Sequence, residues 1–232
     1  MWARGTLSLL PRVPMIRLWP SVWLDTSFPT GNGLAGLCRG EVWLDRDLRD
    51  STGERWYWHI RIAVAEEAEL RFRTARPLLI GRFGPAVRTI DEYAWLWPGA
   101  GPEQEFDVRV PAGTTLYISS TIPYGMCRLR AFSDHISGCL RVTALTTSEA
   151  GRDVPLIVCG TSVADRLILL TCRHHACEAM ASFVLEGAIE RFAGLTRKWD
   201  LGRAGGSTRR SVSGAGSGWA GCDGVRRPLG IR

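Results

Sequence analysis

Lysine is all but missing from this 232-residue sequence: Lys198 is the only one among 29 basic residues, and the rest are arginine. The arginines alternate with acids along most of the chain, so the formal charge of +6 is not concentrated on one element as a nucleic-acid footprint requires. Long hydrophobic runs are absent too. No stretch approaches the ~20 apolar residues that cross a bilayer, and the short run at residues 7–10 is broken by Pro11, Arg12, Pro14 and Arg17 before a signal-peptide core develops. The expectation is a protein that neither enters nor crosses a membrane. Cysteine is odd in number, at seven, and scattered, which excludes the even, closely spaced set of a secreted disulfide scaffold and predicts a reducing cytoplasm. No GxSxG elbow follows a strand, which argues against a serine hydrolase. One formal GxGxxG, residues 216–221, has neither a strand before it nor a helix pattern after it, so it is not a dinucleotide fingerprint.

What is present in excess is tryptophan, ten residues, and glycine, 26. From Gly40 to about Val142 short alternating segments are punctuated by turn residues, which predicts an antiparallel β-sandwich over residues 31–142, after a poorly structured stretch at 1–30. The clearest strand is 56–63, where Trp56, Trp58, Ile60 and Ile62 share one face and Tyr57, His59 and Arg61 the other. Further strands are expected at 41–44, 70–72, 77–80, 93–97, 106–110 and 116–119. Helical spacing is hard to find in this region. Trp56, Trp58, Trp95 and Trp97 have two readings: an aromatic platform for glycan, peptide or protein, or the filling of a sandwich core, the usual place of alternating tryptophans.

After Gly138 the pattern changes. Apolar runs at 139–146 and 154–159 flank Ser148-Glu149-Ala150-Gly151-Arg152-Asp153, which predicts a hairpin and the start of a second domain, residues 143–195. Residues 166–172 (Arg-Leu-Ile-Leu-Leu-Thr-Cys) read as a strand buried on both faces of a mixed or parallel sheet. A helix follows, with Met180, Phe183, Val184, Ala188 and Phe192 as its apolar stripe and Leu185 and Ile189 broadening it. Residues 196–232 turn to arginine, glycine and serine without hydrophobic period and are expected to be disordered. The fold class is therefore β-rich, then α/β.

Between that strand and that helix lies Arg173-His174-His175-Ala176-Cys177-Glu178. An HxxE spacing places an imidazole and a carboxylate on one zinc ion when the histidine ends a strand and the glutamate opens a helix. The spacing alone is common by chance; its position strengthens it, because open α/β sheets bind ligands at the ends of their strands. A structural histidine pair capping the strand is the competing reading. Cys177 beside two histidines is either a nucleophile or a small residue in a metal loop.

Arg173-His174-His175-Ala176-Cys177-Glu178-Ala179-Met180-Ala181-Ser182, followed by Leu185-Glu186-Gly187, resembles the zinc-binding segment of the zinc metallocarboxypeptidases, closest to their cytosolic carboxypeptidase-like branch. Thr147-Ser148, Gly151-Arg152 and Val154-Pro155-Leu156 resemble the opening of that catalytic domain, and Trp56-Tyr57-Trp58 and Ile122-Pro123-Tyr124 its preceding β-sandwich. The resemblance implies His175 and Glu178 as ligands of one zinc ion, His174 beside the site without ligating, and a polypeptide C-terminus as substrate. It also implies a second zinc histidine, arginines for the substrate carboxylate and a general-base glutamate, all from sequence well after the helix. His175 is the last histidine here, and no such set follows. Glu186 and Glu190 read as solvated helix charges, and His59 and His135 as sandwich residues satisfied locally. The expectation is a chain that carries half of a metallocarboxypeptidase site, either truncated or frameshifted after about Ala193, holding zinc weakly and turning over little, or a genuine non-catalytic product whose sandwich binds a partner. Catalytic residues and oligomeric state are left unassigned.

Overall fold

Period-two alternation builds the first of two units, Met1–Pro123 and Tyr124–Arg232. The computed structural model describes residues 15–48, 57–74, 80, 83–92, 94–97, 105–160, 166–175 and 177–203. In the first unit β1 (Ile16–Trp19), β2 (Val22–Asp25), β3 (Leu34–Cys38), β4 (Glu41–Asp45), β5 (His59–Val64), β6 (Ala68–Thr74), β7 (Ala86–Thr89), β8 (Glu105–Val110) and β9 (Thr115–Ser119) form two sheets. One is five-stranded in the order β1-β2-β5-β9-β7, the other four-stranded in the order β3-β4-β6-β8. Leu24, Ile60, Ile62 and Ile118 of the first sheet and Val42, Leu44, Phe72 and Val110 of the second close over one core. Each such side chain contributes about 1.5–3 kcal/mol on burial. Trp58 lies in this core, stacked on Phe106 at 6.0 Å, and Phe106 stacks on Phe72 at 4.7 Å. The β3–β4 hairpin closes through Arg39 and Gly40, both at positive φ, the two-residue turn whose twist suits flanking strands.

Several expectations change here. The segment expected to be poorly structured, 1–30, carries β1 and β2, because Leu18, Val22 and Leu24 alternate into the core. The sandwich is not wholly antiparallel: β4 and β6 pair in parallel, Val42 opposite Phe72. Of the strand expected at 93–97, the described residues keep only an isolated bridge between Leu96 and Val87. Of the strand expected at 77–80, only Ile80 is among the described residues, and Trp56 lies outside them.

The second unit opens with α1 (Met126–Ser137), inside the span expected to be sandwich. Only Phe132 and Ile136 of this helix are buried, and Gly125 caps it without a side-chain hydrogen bond, so neither an apolar stripe nor a capping signal announces it. β10 (Arg141–Thr147) and β11 (Asp153–Val158) form the expected antiparallel hairpin, turned at Gly151 with φ of 70°. The run at 166–172 corrects its sequence reading: no strand forms there, and Leu167, Ile168 and Leu169 are 91%, 73% and 74% exposed. A strand is buried on both faces only if its sheet neighbours exist, and none pairs with it among the described residues.

α2 (Ala179–Arg203) extends past the expected domain end at 195, and its burial follows the expected stripe only in part, with Phe183, Leu185, Ala188 and Ile189 half-buried. Ala179, Ser182 and Glu186 are buried, whereas Met180, Val184 and Phe192 are exposed. The tail from residue 204 lies outside the described residues.

Candidate metal centre

Residues 173–175, 177 and 178 lead from the run at 166–172 into α2. Arg173 takes a left-handed conformation, φ of 59°, which costs a non-glycine residue energy and is tolerated where surrounding contacts hold it. The Glu178 amide donates to the His175 carbonyl at 3.1 Å and closes the turn. The side chains then meet: His175 Nδ1 lies 2.8 Å from Glu178 Oε1, and the His175 amide donates weakly to Glu178 Oε2 at 3.4 Å. The His175 imidazole and amide, with His174 nearby, hold the Glu178 carboxyl below its ordinary value and keep it anionic. Both side chains are open to solvent, 76% and 43% exposed.

A ring nitrogen and a carboxylate oxygen converging at an open position are the donor chemistry zinc takes. The pair fits such an ion as two of its ligands. Among the described residues no third histidine, cysteine, aspartate or glutamate joins it. His174 turns to Thr171, Nε2 to Oγ1 at 3.1 Å, and Cys172 Sγ lies 3.8 Å from Ser182 Oγ. His135 sits exposed in the last turn of α1, and His59 is buried beside Thr30 in the first unit.

Glu186 corrects its sequence reading. It is 6% exposed, accepts from the Tyr124 hydroxyl at 2.8 Å, and receives a forked Arg128 guanidinium at 2.5–3.2 Å. Burial and the Glu186 carboxylate push the Tyr124 phenol well up, so it stays a donor. Glu186 raises the Arg128 guanidinium further, mainly through the hydrogen bond. One signal was available in the sequence: 178, 182 and 186 fall on one side of a helix at four-residue steps. Glu190 is exposed on α2, as expected.

Three of the four tryptophans named for a platform are among the described residues, and they lie in different surroundings. Trp58 fills the core, Trp95 packs against His59 at 5.7 Å beneath the Arg88 guanidinium, and Trp97 is 42% exposed.

No family model matches the sequence, and no curated protein does. Solved structures do match. The metallo-carboxypeptidase from Burkholderia cenocepacia superposes with a TM-score of 0.61 at 19% identity, covering 75% of this chain and 49% of its own. The metallo-carboxypeptidase from Pseudomonas aeruginosa, in complex with (2-guanidinoethylmercapto)succinic acid, superposes with a TM-score of 0.57 at 19% identity, covering 73% and 48%. The chain therefore has a metallocarboxypeptidase-like fold, β-rich and then α/β, and spans about half the length of those two chains.

Proposed function

We propose that this chain carries the β-sandwich and the first half of the metal site of a zinc metallocarboxypeptidase-like hydrolase, with His175 and Glu178 as ligands of one zinc ion. The observation that carries the reading is the 2.8 Å convergence of those side chains in the turn that opens α2, in a chain with this fold. When bound, the metal supplies Lewis-acid chemistry, polarising a peptide carbonyl and acidifying water. The chain's own residues hold an imidazole nitrogen and an anionic carboxylate on one solvent-open side, where the C-terminus of a polypeptide substrate has access. With two protein ligands zinc is held weakly. No histidine follows His175 to complete a set of three, so little hydrolysis is expected from this chain alone.

Among the described residues the cysteines are in no disulfide, which supports a reducing, cytoplasmic setting. No helix among the described residues is long and apolar enough to cross a membrane. The test is metal analysis of the purified chain and of His175→Ala, paired with release of C-terminal residues from peptides ending in acidic or basic residues. Zinc removable by a mild chelator and lost in His175→Ala, with little release, is the expected result. Zinc content indifferent to His175 would overturn the ligand assignment, and brisk release with stoichiometric zinc would overturn the half-site.

A further inference from the structure

Exposure leaves the His175–Glu178 pair without packing to fix it, so its geometry has to be imposed from the flanks. Both flanks meet on one residue. On the N-terminal side, Arg173 Nη1 donates to the Tyr124 carbonyl at 2.6 Å, and its guanidinium lies 5.8 Å from the centre of the Tyr124 ring. On the C-terminal side, Phe183 packs edge-on against the same ring at 5.1 Å, and Glu186 accepts from its hydroxyl at 2.8 Å. Arg128 closes the arrangement, forked onto Glu186 and lying 5.3 Å from the Phe183 ring. Phe183 and Glu186 are three residues apart and share a helix face. Tyr124 thus ties the chain before the HxxE turn to the helix after it, and the left-handed Arg173 is held by the same contacts.

The geometry points to a clamp, centred on Tyr124 and built from Arg128, Arg173, Phe183 and Glu186, that positions the His175–Glu178 pair. Its members are positioning residues: they act through the turn. The clamp is independent of the metal; only its consequence for metal affinity rests on the proposed function.

The test is hydrogen exchange on the full, metal-free chain, followed by a separate cobalt(II) titration. In Glu186→Ala, exchange across 173–178 is expected to rise about tenfold while the β10–β11 hairpin is unchanged. Glu186→Gln, which still accepts from Tyr124, is expected to restore most of the protection. Tyr124→Phe keeps the ring and removes only the hydroxyl; it is read in place of Glu186→Ala if that variant does not fold, with a rise of about threefold expected. Exchange across 173–178 that is unchanged in these variants overturns the clamp. A rise spread equally over the hairpin and the far half of α2 overturns it too, since that pattern is general loosening. In the cobalt arm, affinity is expected to fall in the same order as protection. If the parent chain takes up no cobalt, the zinc reading fails, and the exchange pattern still decides the clamp.

Discussion

His59 shows what one buried residue can impose on a domain. It is 3% exposed, ringed by Phe28 at 4.8 Å, Tyr117 at 5.6 Å and Trp95 at 5.7 Å, and its Nε2 is buried without a partner. Burial, reinforced by Arg88 and opposed by a hydrogen bond at Thr30, lowers its pKa from 6.5 to about 3. The unfolded chain therefore takes up a proton below 6.5 that the folded chain refuses, and stability falls as pH drops from 6.5 towards 3. The loss at pH 5 relative to pH 7.5 is expected to be about 2 kcal/mol, read as a shift in the urea midpoint of tryptophan fluorescence. His59→Gln should flatten that dependence; an unchanged slope would show that other groups cause it. Asp25 adds a second acid-sensitive contribution. Its burial alone would raise the carboxyl, but Ser27 and the Arg61 ion pair outweigh burial and lower it, so this stabilisation is present above 3.8 and lost below it.

Elements differ in how fully they explain themselves. β5 and β6 were legible because Ile60 and Ile62, and Leu70 and Phe72, alternate with polar residues, and one face of each is in the core. Phe72→Ala is expected to cost about 3–5 kcal/mol, whereas Trp97→Ala, at a surface position, should stay within about 0.5 kcal/mol, both by denaturant titration. The HxxE turn was legible because both residues lie within four positions of one another. The clamp was not, because Glu186 lies 58 residues from Arg128 and 62 from Tyr124. Seen along the helix alone, it is one more surface charge. α1 was missed for a related reason: a helix that buries two of its twelve residues carries little periodicity. Met180, Val184 and Phe192 of the α2 stripe and the run at 166–172 misled in the opposite direction, since hydrophobic period reports what a segment can bury and not what covers it.

On the scale of the whole molecule, the two units contrast. The first closes one apolar core and leaves scattered residues such as Phe83 and Leu96 exposed, whereas the second leaves a contiguous run, 167–170, exposed along with Leu145, Val184 and Phe192. Exposed apolar surface of this kind promotes association. Replacing Leu167 and Leu169 together by lysine is expected to lower the apparent mass in sedimentation at micromolar concentration; an unchanged mass would show that the run takes no part in association. The central claim is that a metallocarboxypeptidase-like fold presents His175 and Glu178 as half of a zinc site. X-ray absorption at the zinc edge of the loaded full chain tests it most directly, since two cysteines, Cys172 and Cys177, lie within three residues of His175 and offer a thiolate alternative. The account predicts nitrogen and oxygen neighbours at about 2.0–2.2 Å, with an imidazole signature that disappears in His175→Ala. A shell containing sulfur at about 2.3 Å, or an imidazole signature that survives that substitution, would contradict it.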